Sequence, residues 1–110
     1  MVDFDDGVRT TTAQILRHEG FSVAEADDGE IAFELMRQQR FGVVLLELDL
    51  PKRSGVQLLE SIDDPPPVIV VAAYPFEPRD DERVGHKLAG YLQKSVPPRV
   101  LIDMVASLLR

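Results

Sequence analysis

Val43-Val44-Leu45-Leu46-Glu47-Leu48-Asp49-Leu50-Pro51 is the stretch whose reading decides the fold. Its apolar run, Val43–Leu48, has no alternation of polar and apolar residues. That pattern suits a strand buried on both faces, as in a parallel sheet covered by helices. A carboxylate, Glu47, falls near the end of the strand, and Leu50-Pro51 opens a loop.

Outward from this strand, apolar runs and helical patterns alternate five times, which predicts a single βα-repeating domain over residues 1–110. The first strand lies near Val2–Phe4 and is short, since only Met1 and Val2 precede Asp3; either the strand is unusually brief or the natural chain starts earlier. The first helix covers Gly7–His18, with Val8, Ile15 and Leu16 inward and Gly20 as its stop. The second strand is Phe21–Ala26, and Asp28-Gly29-Glu30 opens a second helix carrying Ile31, Ala32, Leu35 and Met36. A third helix runs from Ser54 to Ile62, and Asp63-Asp64-Pro65-Pro66-Pro67 makes a stiff turn into the fourth strand, Val68–Ala73. Pro75, Pro78 and Gly85 leave room only for a short fourth helix, Arg79–Val84. The fifth strand is Gly90–Gln93, and the fifth helix starts near Pro98 with the stripe Leu101, Met104, Val105 and Leu108. Right-handed crossovers then favour an α/β, flavodoxin-like, doubly wound five-stranded parallel sheet of order 2-1-3-4-5, with helices on both faces. In such a sheet, function gathers at the carboxyl ends of the strands: Asp3–Asp6, Glu47–Asp49, Ala72–Tyr74 and Lys94.

The composition narrows the functions. A chain of 110 residues, 45% hydrophobic, can fill one core. There is no cysteine, hence no disulfide framework, thiolate metal site or thiol nucleophile. The net charge of −7 opposes direct nucleic-acid binding. No apolar run is long enough to span a bilayer and no signal peptide is visible, so a cytoplasmic location and no membrane partner are expected. His18 and His86 have no second ligand at metal spacing, and no glycine-rich phosphate loop follows the first strand.

A set of landmarks in order, with spacing that needs no gap from Asp3 to Gly20, from Gly20 to Glu47 and from Ala73 to Lys94, makes the whole chain resemble the receiver domains of two-component response regulators, the CheY-like family. They include Val2-Asp3, Arg9, Gly20-Phe21, Ala26-Asp27-Asp28-Gly29-Glu30, Leu50-Pro51, Ser54-Gly55, Val68-Ile69-Val70, Ala73-Tyr74 and Tyr91-Leu92-Gln93-Lys94. The resemblance implies a fold and a set of site roles, several filled by unusual residues. The family's phosphoacceptor aspartate is Glu47 here, one methylene longer. Of the two adjacent acids that hold Mg²⁺, Asp3 matches the first and Phe4 stands at the second. The Ser/Thr switch position is Ala72, whose methyl cannot hydrogen-bond a phosphoryl group. Lys94 matches the phosphoryl-holding lysine and Tyr91 the aromatic that rotates on activation. Ser95 replaces a proline, so the family's cis peptide is not expected here. Asp5 and Asp6 suit the start of a helix.

A lysine at that depth needs an anion, which Glu47 or Asp3 can supply, and a structural Lys94–Glu47 contact is predicted. The degenerate site therefore comprises Glu47, Ala72, Lys94 and Tyr91, with a weak vestigial metal set of Asp3, Glu47 and Asp49. The leading expectation is a non-enzymatic pseudo-receiver with no cofactor, beyond Mg²⁺ held weakly at most. It would act as a phosphorylation-independent module that binds a protein partner or itself. The family's docking face of fourth helix, fifth strand and fifth helix maps here to Val84, Leu88, Tyr91, Val96 and Val100. Two alternatives stand beside it: a working Mg²⁺-dependent phospho-receiver using Glu47 or Asp49, and a small-ligand pocket in the vacated metal site, walled by Phe4 and Ala72.

Overall fold

The computed structural model describes residues 1–48, 50–72 and 88–109. The predicted fourth helix, with Ala73, Tyr74, Val84 and His86, and the loop residue Asp49 lie outside them. Three parallel strands, β1 (Val44–Leu46), β2 (Val68–Ala72) and β3 (Leu88–Gln93), form a sheet in the order β1-β2-β3. Four helices accompany them among the described residues: α1 (Asp6–His18), α2 (Gly29–Gln38), α3 (Gly55–Glu60) and α4 (Pro98–Leu109), the last being the fifth of the predicted helices.

The first two predicted strands are present only as single parallel bridges, Val2 to Leu46 on one side and Val2 to Ala26 on the other. This corrects the expectation of five regular strands. Few residues run alongside each other there: Val2 N–H donates to Leu45 O at 2.8 Å, Glu47 N–H to Val2 O at 3.0 Å and Asp3 N–H to Ala26 O at 3.1 Å. A ladder needs consecutive partners on both strands, and here each side supplies one or two.

The alternation of side chains along β1 and β2 builds two cores, one on each face of the sheet. Val44, Leu46, Val68 and Val70 meet Ala32 of α2 and Leu58 and Leu59 of α3. Leu45, Ile69 and Val71 meet Leu16 of α1 and Leu101, Ile102 and Val105 of α4. Burial on both faces is why these strands read as continuous apolar runs. Ile31, one of the apolar residues at helical spacing along α2, is exposed, because Ala32 holds the buried position of that turn and its neighbour points about 100° away.

Each of the first three helices starts on a side-chain cap. Asp5 accepts from Val8 N–H at 3.0 Å and Asp28 from Ile31 N–H at 2.8 Å. Ser54 and Gln57 form a reciprocal capping box at α3. A six-residue helix has little stability of its own. Ser54→Ala is therefore expected to cost about 1 kcal/mol in urea denaturation, with α3 amides losing hydrogen-exchange protection first. Gly20 closes α1 with φ 97°, a conformation other residues seldom adopt.

Candidate functional site

Asp3, Glu47, Ala72 and Lys94 all lie where the sheet segments reach their carboxyl ends. Backbone bonds fix them there: Glu47 N–H donates to Val2 O at 3.0 Å, and Lys94 N–H to Ala72 O at 2.7 Å. Asp3 is fully buried (0% exposed) and Glu47 nearly so (3%). The ammonium of Lys94 stands between them, 2.8 Å from Asp3 Oδ2 and 3.0 Å from Glu47 Oε2. The predicted Lys94–Glu47 contact is present, and Asp3 shares the lysine equally, a partnership the sequence offered only as an alternative.

Burial pulls the pKa of Lys94 down, but hydrogen bonds and charge from Asp3 and Glu47 together outweigh it and hold the group above its ordinary 10.5. Asp3 is supported further by its other oxygen, since Asp5 N–H donates to Asp3 Oδ1 at 2.9 Å, while Arg9 Nη1 donates to the Asp3 carbonyl at 3.0 Å. Arg9, quoted above only as a landmark, is thus part of the site's support. Asp3 Oδ2 meets Lys94 as a close ion pair.

The family's Mg²⁺ would need several oxygens in near-octahedral order. Among the described residues, no three Asp, Glu or His side chains gather as a group able to hold a metal ion. Lys94 occupies the space between the two carboxylates, and Phe4 offers no oxygen. The vestigial set of Asp3, Glu47 and Asp49 is described only in its first two members.

Three expectations need correction. Phe4 does not wall a vacated metal site; its side chain is 53% exposed. An apolar ring beside two buried carboxylates and an ammonium is better placed outside the cluster, which leaves the charges to one another. The Lys94–Ser95 peptide is cis although Ser95 is not proline. The expected docking face is also divided. Tyr91 (51% exposed) and Val100 are exposed, whereas Leu88 and Val96 are partly buried against the two cores. A register shift causes part of this. Leu88 pairs with Val68 and Gly90 with Ile69, so Ala89 is skipped and the facing of β3 changes. Leu88 thereby joins the core on the α2 and α3 side, while Leu92 joins the other. Ala72 is buried within the first of these cores.

A doubly wound α/β domain carrying two buried acids and a lysine at the carboxyl ends of its strands defines a class in which phosphoryl signalling is common. The sequence matches the response regulator receiver domain family over residues 1–106. It is 30% identical over 112 aligned positions to the transcriptional regulatory protein SrrA of Staphylococcus aureus, covering all of this chain and 46% of SrrA. The chain thus spans about half the length of the curated relatives it matches. Among solved structures, it is similar to a CheY-like receiver domain protein from Methanospirillum hungatei, with 26% identity, a TM-score of 0.88 and coverage of 98% of this chain and 89% of that one. It is similar as well to the receiver domain of the response regulator NarL from Mycobacterium tuberculosis, with 26% identity, a TM-score of 0.84 and coverage of 96% and 90%. The chain belongs to the response regulator receiver domain family of two-component signalling. Among the described residues no helix is long and apolar enough to cross a membrane.

Proposed function

We propose that this receiver is a pseudo-receiver, a cytoplasmic module that signals by binding protein without being phosphorylated and without a resident cofactor or catalytic activity. The observation that carries the reading is the position of the Lys94 ammonium, held by Asp3 and Glu47 together. With Lys94 neutralised from within, the place of metal and phosphoryl group is taken by an internal ion cluster. Glu47 adds a misplacement of about 1.5 Å, one carbon–carbon bond, and in-line attack tolerates little of that. Ala72 supplies no hydroxyl and Phe4 no metal ligand. Partner binding, to another protein or a second copy, would use the part of the β3 and α4 surface that stays exposed, including Tyr91 and Val100.

Intact mass after incubation with acetyl phosphate and Mg²⁺ tests the reading. The wild type is expected to show no phosphoryl-sized gain while remaining folded by circular dichroism. The triple variant F4D/E47D/A72T, which returns the missing ligand, nucleophile and hydroxyl, is expected to gain a base-labile phosphoryl group. A base-labile gain on the wild type would sink the proposal in favour of a phospho-receiver working through Glu47 or Asp49.

A further inference from the structure

A cavity of about 520 Å³ opens between α1 and the turn from β3 into α4, on the face of the sheet opposite α2 and α3. Its volume falls within the range of small-molecule sites, roughly 300–1,000 Å³. Its lining is largely apolar: Val71 and Leu101 are buried, and Val8, Ile15 and Val96 are partly so. Thr11, Thr12 and Ser95 add hydroxyls to that lining. Elsewhere in the domain, the hydroxyls of Ser61 and Ser107 are spent on helix carbonyls. Among the described residues, those of Thr11, Thr12 and Ser95 make no such bond, which leaves them open to a ligand.

Among the described residues, three charged groups border the cavity, and each is already engaged. Lys94 is held by Asp3 and Glu47. The Met1 amine donates to Ala24 O at 2.9 Å, and burial lowers its pKa to about 6, so near neutral pH it is mostly uncharged. Asp5 accepts from Val8 N–H at 3.0 Å and is exposed, so water and salt screen its charge. An anionic head would find no free cation here, and a cationic head no carboxylate that is both buried and unpaired. Either would give up its hydration against apolar side chains without a partner to replace it. A neutral oxygen loses far less, and the open hydroxyls can bond it.

We propose that this cavity binds a small neutral molecule with an apolar body and a hydrogen-bonding oxygen, of the class of an aromatic alcohol, its body against Val71 and Leu101 and its oxygen among the hydroxyls of Thr11, Thr12 and Ser95. The site extends the function of the domain beyond protein contact. Val96 and Pro98 border it on the segment that leads to the exposed Val100, so a bound molecule would touch the base of the partner-binding surface. The inference does not depend on whether the domain is phosphorylated, because ligand binding is read on methyl groups and phosphorylation on mass.

The experiment is a titration of the folded chain at neutral pH with four probes of similar body, phenethyl alcohol, ethylbenzene, phenethylamine and hydrocinnamate, followed by methyl carbon–proton NMR. The alcohol is expected to shift the Val8, Val71, Val96 and Leu101 methyls saturably, with a dissociation constant at least about tenfold below those of the amine and the carboxylate. Removing the hydroxyls together, in T11V/T12V/S95A, is expected to weaken the alcohol by about threefold or more while leaving ethylbenzene unchanged. Thr12→Leu places a larger side chain at the cavity wall and is expected to weaken every probe. Circular dichroism shows that each variant is folded, and the comparison of probes on the wild type stands without the variants. Absence of saturable shifts, a charged probe that binds as tightly as the alcohol, or an alcohol affinity untouched in the folded triple variant would each overturn the proposal.

Discussion

Lys94→Met is expected to destabilise the domain by about 3 kcal/mol, at the lower end of what removing one partner from a buried ion pair costs. The physical reason is that Asp3 and Glu47 stay behind, 0% and 3% exposed, with no counter-charge between them. The lysine itself is 20% exposed, which places the effect at the low end. Urea denaturation measures it as a lower midpoint at unchanged slope. Adding Glu47→Gln to Lys94→Met removes one of the stranded charges and is expected to recover a substantial part of the loss, so the two substitutions are non-additive. A loss below about 1 kcal/mol, typical of exposed pairs, would mean that water reaches the cluster. The same ion cluster sets an alkaline limit. The pKa of Lys94 is raised on folding, so its contribution is complete below 10.5 and is lost as pH rises through the higher folded-state value. Wild-type stability should therefore fall above pH 10.5, and the Lys94→Met variant should lack that component.

Gly29→Ala is expected to cost about 3 kcal/mol, although alanine ordinarily improves a helix by up to ~1 kcal/mol over glycine. A methyl at residue 29 would lie 1.8 Å from the carbonyl oxygen of Arg53 and 2.7 Å from its carbonyl carbon. Backbone cannot step aside cheaply there. Gly29 N–H donates to Pro51 O at 3.3 Å, Lys52 pairs with Asp28 at 3.3 Å, and Arg53 pairs with Glu30 at 2.8 Å. The Arg53 guanidinium also sits 4.2 Å from the centre of the Phe33 ring. Parting α2 from this loop strains all of these contacts. Gly7→Ala is the control: its methyl would meet nothing closer than Asp5 Oδ1 at 3.4 Å, so that variant should be neutral or slightly stabilised. Thermal unfolding of the two variants side by side separates close approach from helix propensity. Equal midpoints would show that the loop yields freely.

Much of the fold could be read along the chain because its causes are local. Asp28, Ser54 and Pro98 mark helix starts by their own chemistry, and α2, α3 and α4 begin at the very next residue or on the proline itself. Val68–Ala72 is buried throughout, as an unbroken apolar run predicts. The meeting of Lys94 and Glu47 was also legible, since strands that run parallel bring their carboxyl ends to one edge. The family membership of the chain follows from the same pattern.

The sequence by itself determined the segments of β1, β2, β3 and of the four described helices, which ends carry the charged groups, and which residue types stand at the site: a glutamate, an alanine and a phenylalanine. Only the tertiary structure decided that Lys94 is shared between two buried acids, that Phe4 faces outward, and that β3 skips Ala89 and turns Leu88 into the core. Capping and periodicity act within a few residues and leave their mark in the order of side chains. The division of one ammonium between two carboxylates, the facing of an edge strand and the space beside Gly7 and Ser95 depend on where distant segments come to rest, and no local pattern records that.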